Sequence, residues 1–123
     1  MAELGESVTY AFSYPDVAAT PQLIGLGFNV EEVFGYSREE WEADPKMWRR
    51  LLHPRDAKRV IASTWLASQR AAEYQSVYRM VTRAGEVLWI EDTADINRQE
   101  GSGGEVWVGR FTLVEEPSGL HPV

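Results

Sequence analysis

Hydrophobic and polar residues alternate with a period of two over the second half of this chain, which is typical of β-strands with two unlike faces. The alternating segments are residues 74–82, 87–97 and 105–115, and two segments nearer the start, 8–14 and 22–28, also read as strands. Gly85 lies in the turn between residues 82 and 87, where a left-handed backbone is needed. We therefore predict an antiparallel hairpin followed, after an interval, by a three-stranded meander.

Helix signals occupy the interval between the hairpin and the meander. Asn29 and Ser37 each stand where an N-cap belongs, and Glu32 and Glu40 follow three residues later to complete two capping boxes. Gly35 supplies the left-handed residue that ends the first helix. Two short helices are therefore predicted on either side of Gly35.

Two more helices are predicted before the meander. Asp44-Pro45 starts a third short helix, with proline in the first helical position. Asp56 is placed to cap the longest helix, residues 57–70, whose Ile61 and Trp65 lie on one face. The order of elements implies an α+β domain, a five-stranded antiparallel sheet with several short helices packed on one face.

The length of 123 residues suits one domain with a substantial core. We assign residues 1–7 to an N-terminal tail, 8–115 to the domain and 116–123 to a C-terminal tail. No apolar run reaches the roughly 20 residues of a membrane helix, and the first residues lack the features of a signal peptide. We expect a cytoplasmic protein that does not enter a membrane.

Charge and cysteine usage exclude several classes of function. The formal net charge is −7 and the basic residues are scattered, which argues against nucleic-acid binding. The chain has no cysteine, so disulfides, thiolate metal sites and cysteine nucleophiles are excluded. A covalently bound flavin and a thioester-linked chromophore are excluded for the same reason.

Six short motifs follow one another in a fixed order. They are Gly-Tyr-Ser at 35–37, Glu-Glu-Trp at 39–41, Trp48, Leu-His-Pro-Arg-Asp at 52–56, Tyr-Arg at 78–79 and Gly-x-x-x-Trp at 85–89. Each motif alone is weak, but together they resemble a PAS domain over roughly residues 8–114. The resemblance implies a sensory and protein-interaction module of bacterial signal transduction, such as a two-component system, and not an enzyme.

Few residues are candidates for chemistry. His53 occupies the His-Pro position of the resembling family, and we interpret it as a residue that hydrogen-bonds locally beside Pro54; haem-binding relatives place their ligand in the following helix. Period-two alternation puts Glu91 and Asp95 on one face of a strand and Asp92 on the other, so the three carboxylates do not converge. We expect no catalytic residue, no metal site and no haem.

The flavin-binding branch of the PAS family is the guide to a ligand pocket. Its ligand-facing strand positions correspond to Met80, Ile90 and Phe111, which are apolar here, whereas that branch has amide side chains that hydrogen-bond the flavin. The resemblance therefore implies a small apolar ligand of unknown identity, or a filled core. The predicted ligand-binding residues are Phe34, Trp65, Tyr78, Met80, Ile90 and Phe111.

Both faces of the predicted sheet carry large apolar residues, although one layer of helices can cover only one face. We predict that the uncovered face meets a partner. The predicted interface residues are Val77, Val81, Trp89 and Val108. The expected partner is a second copy of the chain or a signalling effector, namely a kinase, a nucleotide cyclase or a phosphatase.

Two other functions fit the pattern. A small enzyme or carrier with an aromatic-lined α+β pocket would need a buried acid or base, and we expect no titratable residue at an inward position except Tyr78. Asp92 and His53 within hydrogen-bonding reach inside a cavity would favour this alternative. The third possibility is a scaffold with a filled core that uses the sheet face alone.

Overall fold

The computed structural model describes residues 2–14, 21–70, 72–98, 101 and 104–117. The elements within them are β1 (Ser7–Tyr14), β2 (Gln22–Leu26), α1 (Val30–Phe34), α2 (Arg38–Ala43), α3 (Met47–Leu51), α4 (Pro54–Arg70), β3 (Glu73–Val81), β4 (Val87–Arg98) and β5 (Glu105–Val114). The five predicted strands are all present. Their bounds lie close to the predicted ones because alternation and turn residues are local signals.

The strands form one antiparallel sheet in the order β2-β1-β5-β4-β3. β1 and β2 make the predicted hairpin, and β3, β4 and β5 make the predicted meander. The two units join where β1 pairs with β5, so β5 lies at the centre of the sheet. The α+β class and the five-stranded antiparallel sheet are confirmed.

One hydrophobic cluster between the sheet and the helices forms the core. Ile90 and Phe111 enter it from the sheet, and Phe34, Trp41 and Val60 enter it from the helices, each at most 2% exposed. On the other face, none of the described outward residues of β3, β4 and β5 is fully buried. The helices therefore cover one face of the sheet, which we call the inner face.

The second helix begins and the first ends as predicted. Ser37 Oγ accepts from the Glu40 N–H, and the Ser37 N–H donates to Glu40 Oε1, at 3.1 and 2.8 Å. This capping box satisfies donors that the first turn of α2 would otherwise leave free. Gly35 ends α1 with a φ of 87°, the left-handed conformation that favours glycine.

Two helix starts differ from the prediction. The capping box at Asn29 and Glu32 is wrong, because Asn29 Nδ2 donates to the Ser7 carbonyl at 2.9 Å and the side chain makes no cap bond. α3 begins at Met47, two residues after Pro45. At Asn29 a hydrogen bond to a distant strand replaces the local capping bond. The local sequence pattern does not reveal that distant partner.

The longest helix begins three residues before the predicted start. His53 Nδ1 accepts from the Arg55 N–H at 3.1 Å, which confirms the local hydrogen bond expected beside Pro54. The predicted cap by Asp56 is wrong. Asp56 lies in the first turn of α4 and accepts instead from Arg79 on β3.

The sheet extends into the predicted N-terminal tail. The Gly5 N–H donates to the Leu113 carbonyl at 2.7 Å, and the Leu113 N–H donates to the Glu6 carbonyl at 2.9 Å. Most of the predicted C-terminal tail, residues 118–123, lies outside the described residues. Among the helices described, none has the length and apolar character needed to cross a membrane.

Candidate functional site

Five of the six predicted ligand-binding residues lie together in the core. Their exposed fractions are 0% for Phe34, Tyr78, Met80 and Ile90 and 1% for Phe111. The rings of Phe34 and Phe111 meet edge to face, with centroids 5.8 Å apart. The structure therefore brings these five residues into contact as packed core.

The interior position predicted for Trp65 is wrong. Its side chain is 64% exposed, whereas Val60, five residues earlier on α4, is fully buried. At about 100° per residue, five residues turn a helix to a different face. The face of α4 that meets the sheet runs through Asp56 and Val60, so Trp65 points away from the core.

A buried carboxylate is the centre of the inner face. Asp92 on β4 is 3% exposed. Its Oδ1 accepts from the hydroxyl of Tyr10 at 2.5 Å, and its Oδ2 accepts from the hydroxyl of Tyr78 at 2.6 Å. Trp48 on α3 donates from Nε1 to the Tyr78 oxygen at 2.9 Å. We call these four residues the Asp92 network; it links the helical layer to three strands.

Strand register assembles this network. Tyr78 pairs with Ile90, so Tyr78 and Asp92 lie on the same face of neighbouring strands. Tyr10 reaches Asp92 from the far side of β5, passing over Gly109, which pairs with both Tyr10 and Ala94. A Cβ at Gly109 would lie 2.8 Å from the Tyr10 ring. The absence of a side chain there is what lets the tyrosine cross β5.

Asp92 has no cationic partner among the hydrogen bonds of the described residues. Burial raises the pKa of Asp92 to about 6, although the bonds from Tyr10 and Tyr78 act in the opposite direction. Burial, and then the charge of Asp92, raise the pKa of Tyr78 well above its usual range, and the pKa of Tyr10 is raised by the same causes. Both tyrosines therefore stay protonated and donate.

Sequence reasoning missed Asp92, Tyr10 and Trp48 as members of a site. Tyr78 is buried as expected, but the expectation that no other inward position is titratable is wrong, because Asp92 shares its parity with Ile90 and points inward as well. That signal was present in the alternation. The bonds to Tyr10 and Trp48 depend on strand order and helix packing, which no local pattern encodes.

The alternative function, a small enzyme or carrier, would be favoured by Asp92 and His53 within hydrogen-bonding reach of each other inside a cavity. Instead both Asp92 oxygens accept from tyrosines, and His53 bonds to the start of α4. Glu91 and Asp95 lie on the other face of β4, as predicted. Among the described residues, no group of three histidine, aspartate or glutamate side chains could hold a metal ion.

A second charged contact fastens α4 to the edge of the sheet. Arg79 donates from Nη2 to Asp56 Oδ1 at 2.7 Å and from Nε to Oδ2 at 2.9 Å, and its backbone N–H adds a third bond at 2.8 Å. These bonds hold the pKa of Asp56 below its usual range. The Arg79 guanidinium also lies 5.1 Å from the ring centroid of Trp89 on the outer face.

A partly open cleft of about 220 Å³ lies beside the Asp92 network. Its walls come from the β1–β2 hairpin and from α2 and α3. They include Phe12, Leu23, Trp41, Met47 and Trp48, and none of the six predicted ligand-binding residues is among the described residues that line it. We call this the side cleft. Trp48 belongs both to its wall and to the Asp92 network.

The four predicted interface residues all lie on the outer face but not in one patch. Val77, Val81 and Trp89 occupy neighbouring positions on β3 and β4, together with Val87 and Val114. We call these five residues the outer patch. Val108 pairs with Asp95 at the far end of β5, about 20 Å from Val114 at 3.3 Å per residue. Polar residues in the middle of the outer face separate Val108 from the outer patch.

The family model described as the PAS fold matches residues 27–110, more than half of the chain. The chain belongs to the PAS family. No curated protein matches it in sequence.

Solved structures show the same fold at low sequence identity. The N-terminal domain of a diguanylate cyclase with a PAS/PAC sensor from Marinobacter aquaeolei has a TM-score of 0.74 and 18% identity, covering 88% of this chain and 94% of that one. The PAS domain of a protein from Colwellia psychrerythraea has a TM-score of 0.64 and 19% identity, covering 85% of each. A sensory box histidine kinase/response regulator from Burkholderia thailandensis has a TM-score of 0.62 and 20% identity, covering 86% of this chain and 76% of that one.

The two tyrosines of the network are expected to differ in their contribution to the stability of this PAS domain. Tyr78→Phe removes a donor to a buried carboxylate and also leaves the Trp48 Nε1–H without its acceptor. Tyr10→Phe removes one donor alone. Urea unfolding at pH 7 should show a loss of about 3 kcal/mol for Tyr78→Phe and about 2 kcal/mol for Tyr10→Phe. A larger loss for Tyr10→Phe would contradict the arrangement described.

Proposed function

We propose that this PAS domain is a cytoplasmic sensory and protein-interaction module of bacterial signal transduction, which forms a homodimer through the outer face of its sheet. The observation that carries the proposal is the outer patch. Val87 is 48% exposed, and Val77, Val81, Trp89 and Val114 are all incompletely buried. A cluster of large apolar side chains with no covering layer among the described residues is typical of a surface that binds a partner.

The charges on this face favour a second copy as the partner. A twofold dimer places the same surface against itself, so the surface must be complementary to itself. Glu91 and Asp95 lie on the outer face with Arg110, whereas Arg79 on the same face is already paired with Asp56. Glu91 or Asp95 of one copy can therefore oppose Arg110 of the other, although the chain as a whole has a net charge of −7.

We infer that the dimer passes a signal to an effector such as a kinase, a nucleotide cyclase or a phosphatase. Two of the structural neighbours support this inference, since one belongs to a diguanylate cyclase and another to a histidine kinase/response regulator. A change in sheet packing on one side of the dimer would bias the effector by shifting a pre-existing equilibrium.

A small, largely apolar ligand is the input that we propose for the sensor. The core residues Phe34, Tyr78, Met80, Ile90 and Phe111 already pack against one another, so a ligand among them would have to displace them. The side cleft offers space next to the same core and shares Trp48 with the Asp92 network. A native mass spectrum of the protein purified without added ligand would test for a bound molecule by its extra mass.

The dimer is expected to depend on the outer patch. Trp89→Glu and Val87→Lys each place a charge where the two copies would meet, and burying an unpaired charge is costly. We expect each change to raise the dimer dissociation constant about 30-fold or more, measured by analytical ultracentrifugation over a range of concentrations.

Val108→Lys is the matched control, because it adds a charge to the same face about 20 Å from Val114 and outside the patch. The expected outcome is a dimer that survives Val108→Lys and dissociates with the two patch variants. Circular dichroism should show that all three variants remain folded. A monomeric wild-type protein, or a dimer indifferent to both patch variants, would rule out the proposed interface.

A further inference from the structure

We propose that the outward face of helix α4 binds the acidic end of a second copy of this chain in a head-to-tail contact. We call the outward face the basic face, and its residues are Arg55, Lys58, Arg59, Trp65, Leu66 and Arg70. The residues of the acidic end are Glu6, Phe28, Glu31 and Glu32. This contact goes beyond the proposed dimer, because neither surface belongs to the outer patch.

The basic face combines two exposed apolar side chains with cations. Trp65 and Leu66 are 64% and 48% exposed. Lys58 precedes Trp65 by seven residues, which is close to two full turns, so the two side chains lie on one face of α4 about 10 Å apart. Arg59 stands in the same relation to Leu66. Tryptophan and arginine are enriched among the residues that contribute most to binding at protein interfaces.

The cations of the basic face have few partners within the molecule. α4 holds four of the 12 basic residues of the chain and one acidic residue, Asp56, which is buried and already paired. Lys58 and Arg59 follow Arg55 by three and four residues, so like charges lie side by side on the helix. Among the described residues, no carboxylate forms an ion pair with Arg55, Lys58 or Arg70. An acidic partner would relieve this repulsion.

The acidic end has the opposite charge beside an exposed ring. Phe28 is 99% exposed, in the turn directly before α1. It precedes Glu31 and Glu32 by three and four residues, and both are exposed. Asn29 Nδ2 donates to Glu6 Oε2 at 3.1 Å, which brings a third carboxylate to this segment. An apolar ring next to carboxylates is complementary to apolar side chains next to cations.

The two surfaces lie toward opposite edges of the sheet. The turn that holds Phe28 directly follows β2, at one edge. α4 packs on β3, at the other edge, where Ser63 Oγ lies 2.8 Å from the Tyr74 hydroxyl. The edge strands are four strand spacings apart, about 19 Å. Complementary surfaces at opposite ends of a molecule join copies head to tail, and each added copy leaves one surface free for the next.

A second copy is favoured over a lipid bilayer or a nucleic acid as the occupant of the basic face. The chain has a net charge of −7, and residues 22–43 hold five acidic residues and one basic residue. An anionic bilayer or a long polyanion extends beyond α4 and would repel these neighbouring surfaces. A second copy instead presents a compact acidic surface with an exposed phenyl ring, which can pack against the Trp65 ring.

Two variants that each lose one surface test the contact. Trp65→Glu disrupts the basic face and keeps the acidic end, whereas Phe28→Lys does the reverse. Both full-length proteins also carry Val87→Lys, which removes the proposed dimer through the outer patch. The Trp65→Glu protein, labelled with ¹⁵N, is titrated with unlabelled Phe28→Lys protein and, as the control, with unlabelled Trp65→Glu protein. NMR should show the mixed pair binding about 30-fold more tightly, with shifts at residues 28–32, because each copy supplies one intact surface.

Salt separates the contact from a purely apolar association. Raising the NaCl concentration from about 50 to about 500 mM should weaken the mixed pair about tenfold. If Trp65→Glu does not fold, Leu66→Glu replaces it. Equal affinities of the mixed and the control pair would overturn the proposal, and so would tighter binding of the wild-type protein to phosphatidylglycerol vesicles or to duplex DNA. All titrated proteins share Val87→Lys, so the outcome is independent of whether the outer patch forms a dimer.

Discussion

Between pH 4 and pH 7 we expect the wild-type protein to lose about 2 kcal/mol of stability that the Asp92→Asn variant keeps. Burial raises the pKa of Asp92 from 3.8 to about 6 in the folded protein. Between these two values the folded state holds a proton that the unfolded chain releases, so the free energy of unfolding falls as the pH rises. Each tenfold change in proton affinity is worth about 1.4 kcal/mol, so the full titration is worth about 3 kcal/mol. About 2 kcal/mol of this falls between pH 4 and pH 7, because the carboxyl of the unfolded chain is already largely ionised at pH 4.

The asparagine variant isolates this effect because it keeps the shape of the side chain and cannot ionise. Urea unfolding of both proteins at pH 4, 5, 6 and 7 should give similar stabilities at pH 4 and a growing advantage for the variant above it. Asp56 acts in the opposite direction, since Arg79 holds its pKa low, but it does so in both proteins and cancels in the difference. If the free energy of unfolding changed with pH in the same way in both proteins, Asp92 would not be a buried carboxylate that ionises without a cationic partner.

Gly109→Ala is expected to cost about 4 kcal/mol of stability. A Cβ at this position would lie 2.7 Å from the Ala94 Cβ and 2.8 Å from the Tyr10 ring, and it would also overlap the Thr93 carbonyl. Strand backbone cannot move aside cheaply, so overpacking here lies at or above the upper end of the usual range. Displacing Tyr10 would in addition remove its bond to Asp92.

Gly25→Ala is the matched control for a glycine in the same sheet. A Cβ there would meet the Ala11 Cβ at 3.4 Å, an ordinary van der Waals contact. We expect its stability to stay within about 1 kcal/mol of the wild type, since only the freedom of the unfolded chain and a surface contact change. Thermal or urea unfolding of the two variants measures the difference. Equal losses would show that Tyr10 does not pass over Gly109 as described.

The elements with local causes can be predicted from the amino-acid sequence alone. Alternation with a period of two depends on neighbouring residues, and it predicted the last three strands; strand-forming residues bounded by turn signals predicted the first two. The Ser37–Glu40 capping box and the left-handed Gly35 depend on contacts within three or four residues, and both are confirmed. Because the order of such elements resembles that of a PAS domain, the family also followed from the sequence.

The hydrogen-bond partners of the polar side chains depend on tertiary packing. Asn29 and Asp56 were predicted to cap helices, but each bonds to a strand more than 20 residues away in sequence. Trp65 was predicted to face the core, and the orientation of α4 turns it outward. Where a side chain can make either a local or a distant hydrogen bond, the packing of the elements decides between them, and the local sequence pattern holds no information on that packing.

The candidate site shows the same division. The alternation along β4 places Asp92 on the same face as Ile90, so the inward direction of this carboxylate is a property of the sequence. Its pairing with Tyr10 and Tyr78 required the sheet order β2-β1-β5-β4-β3, which brings residues 82 positions apart within hydrogen-bonding distance. The side cleft likewise exists only where a hairpin and two helices meet. Local energetics selected the strands and helices, and the burial of their apolar faces against one another created the site.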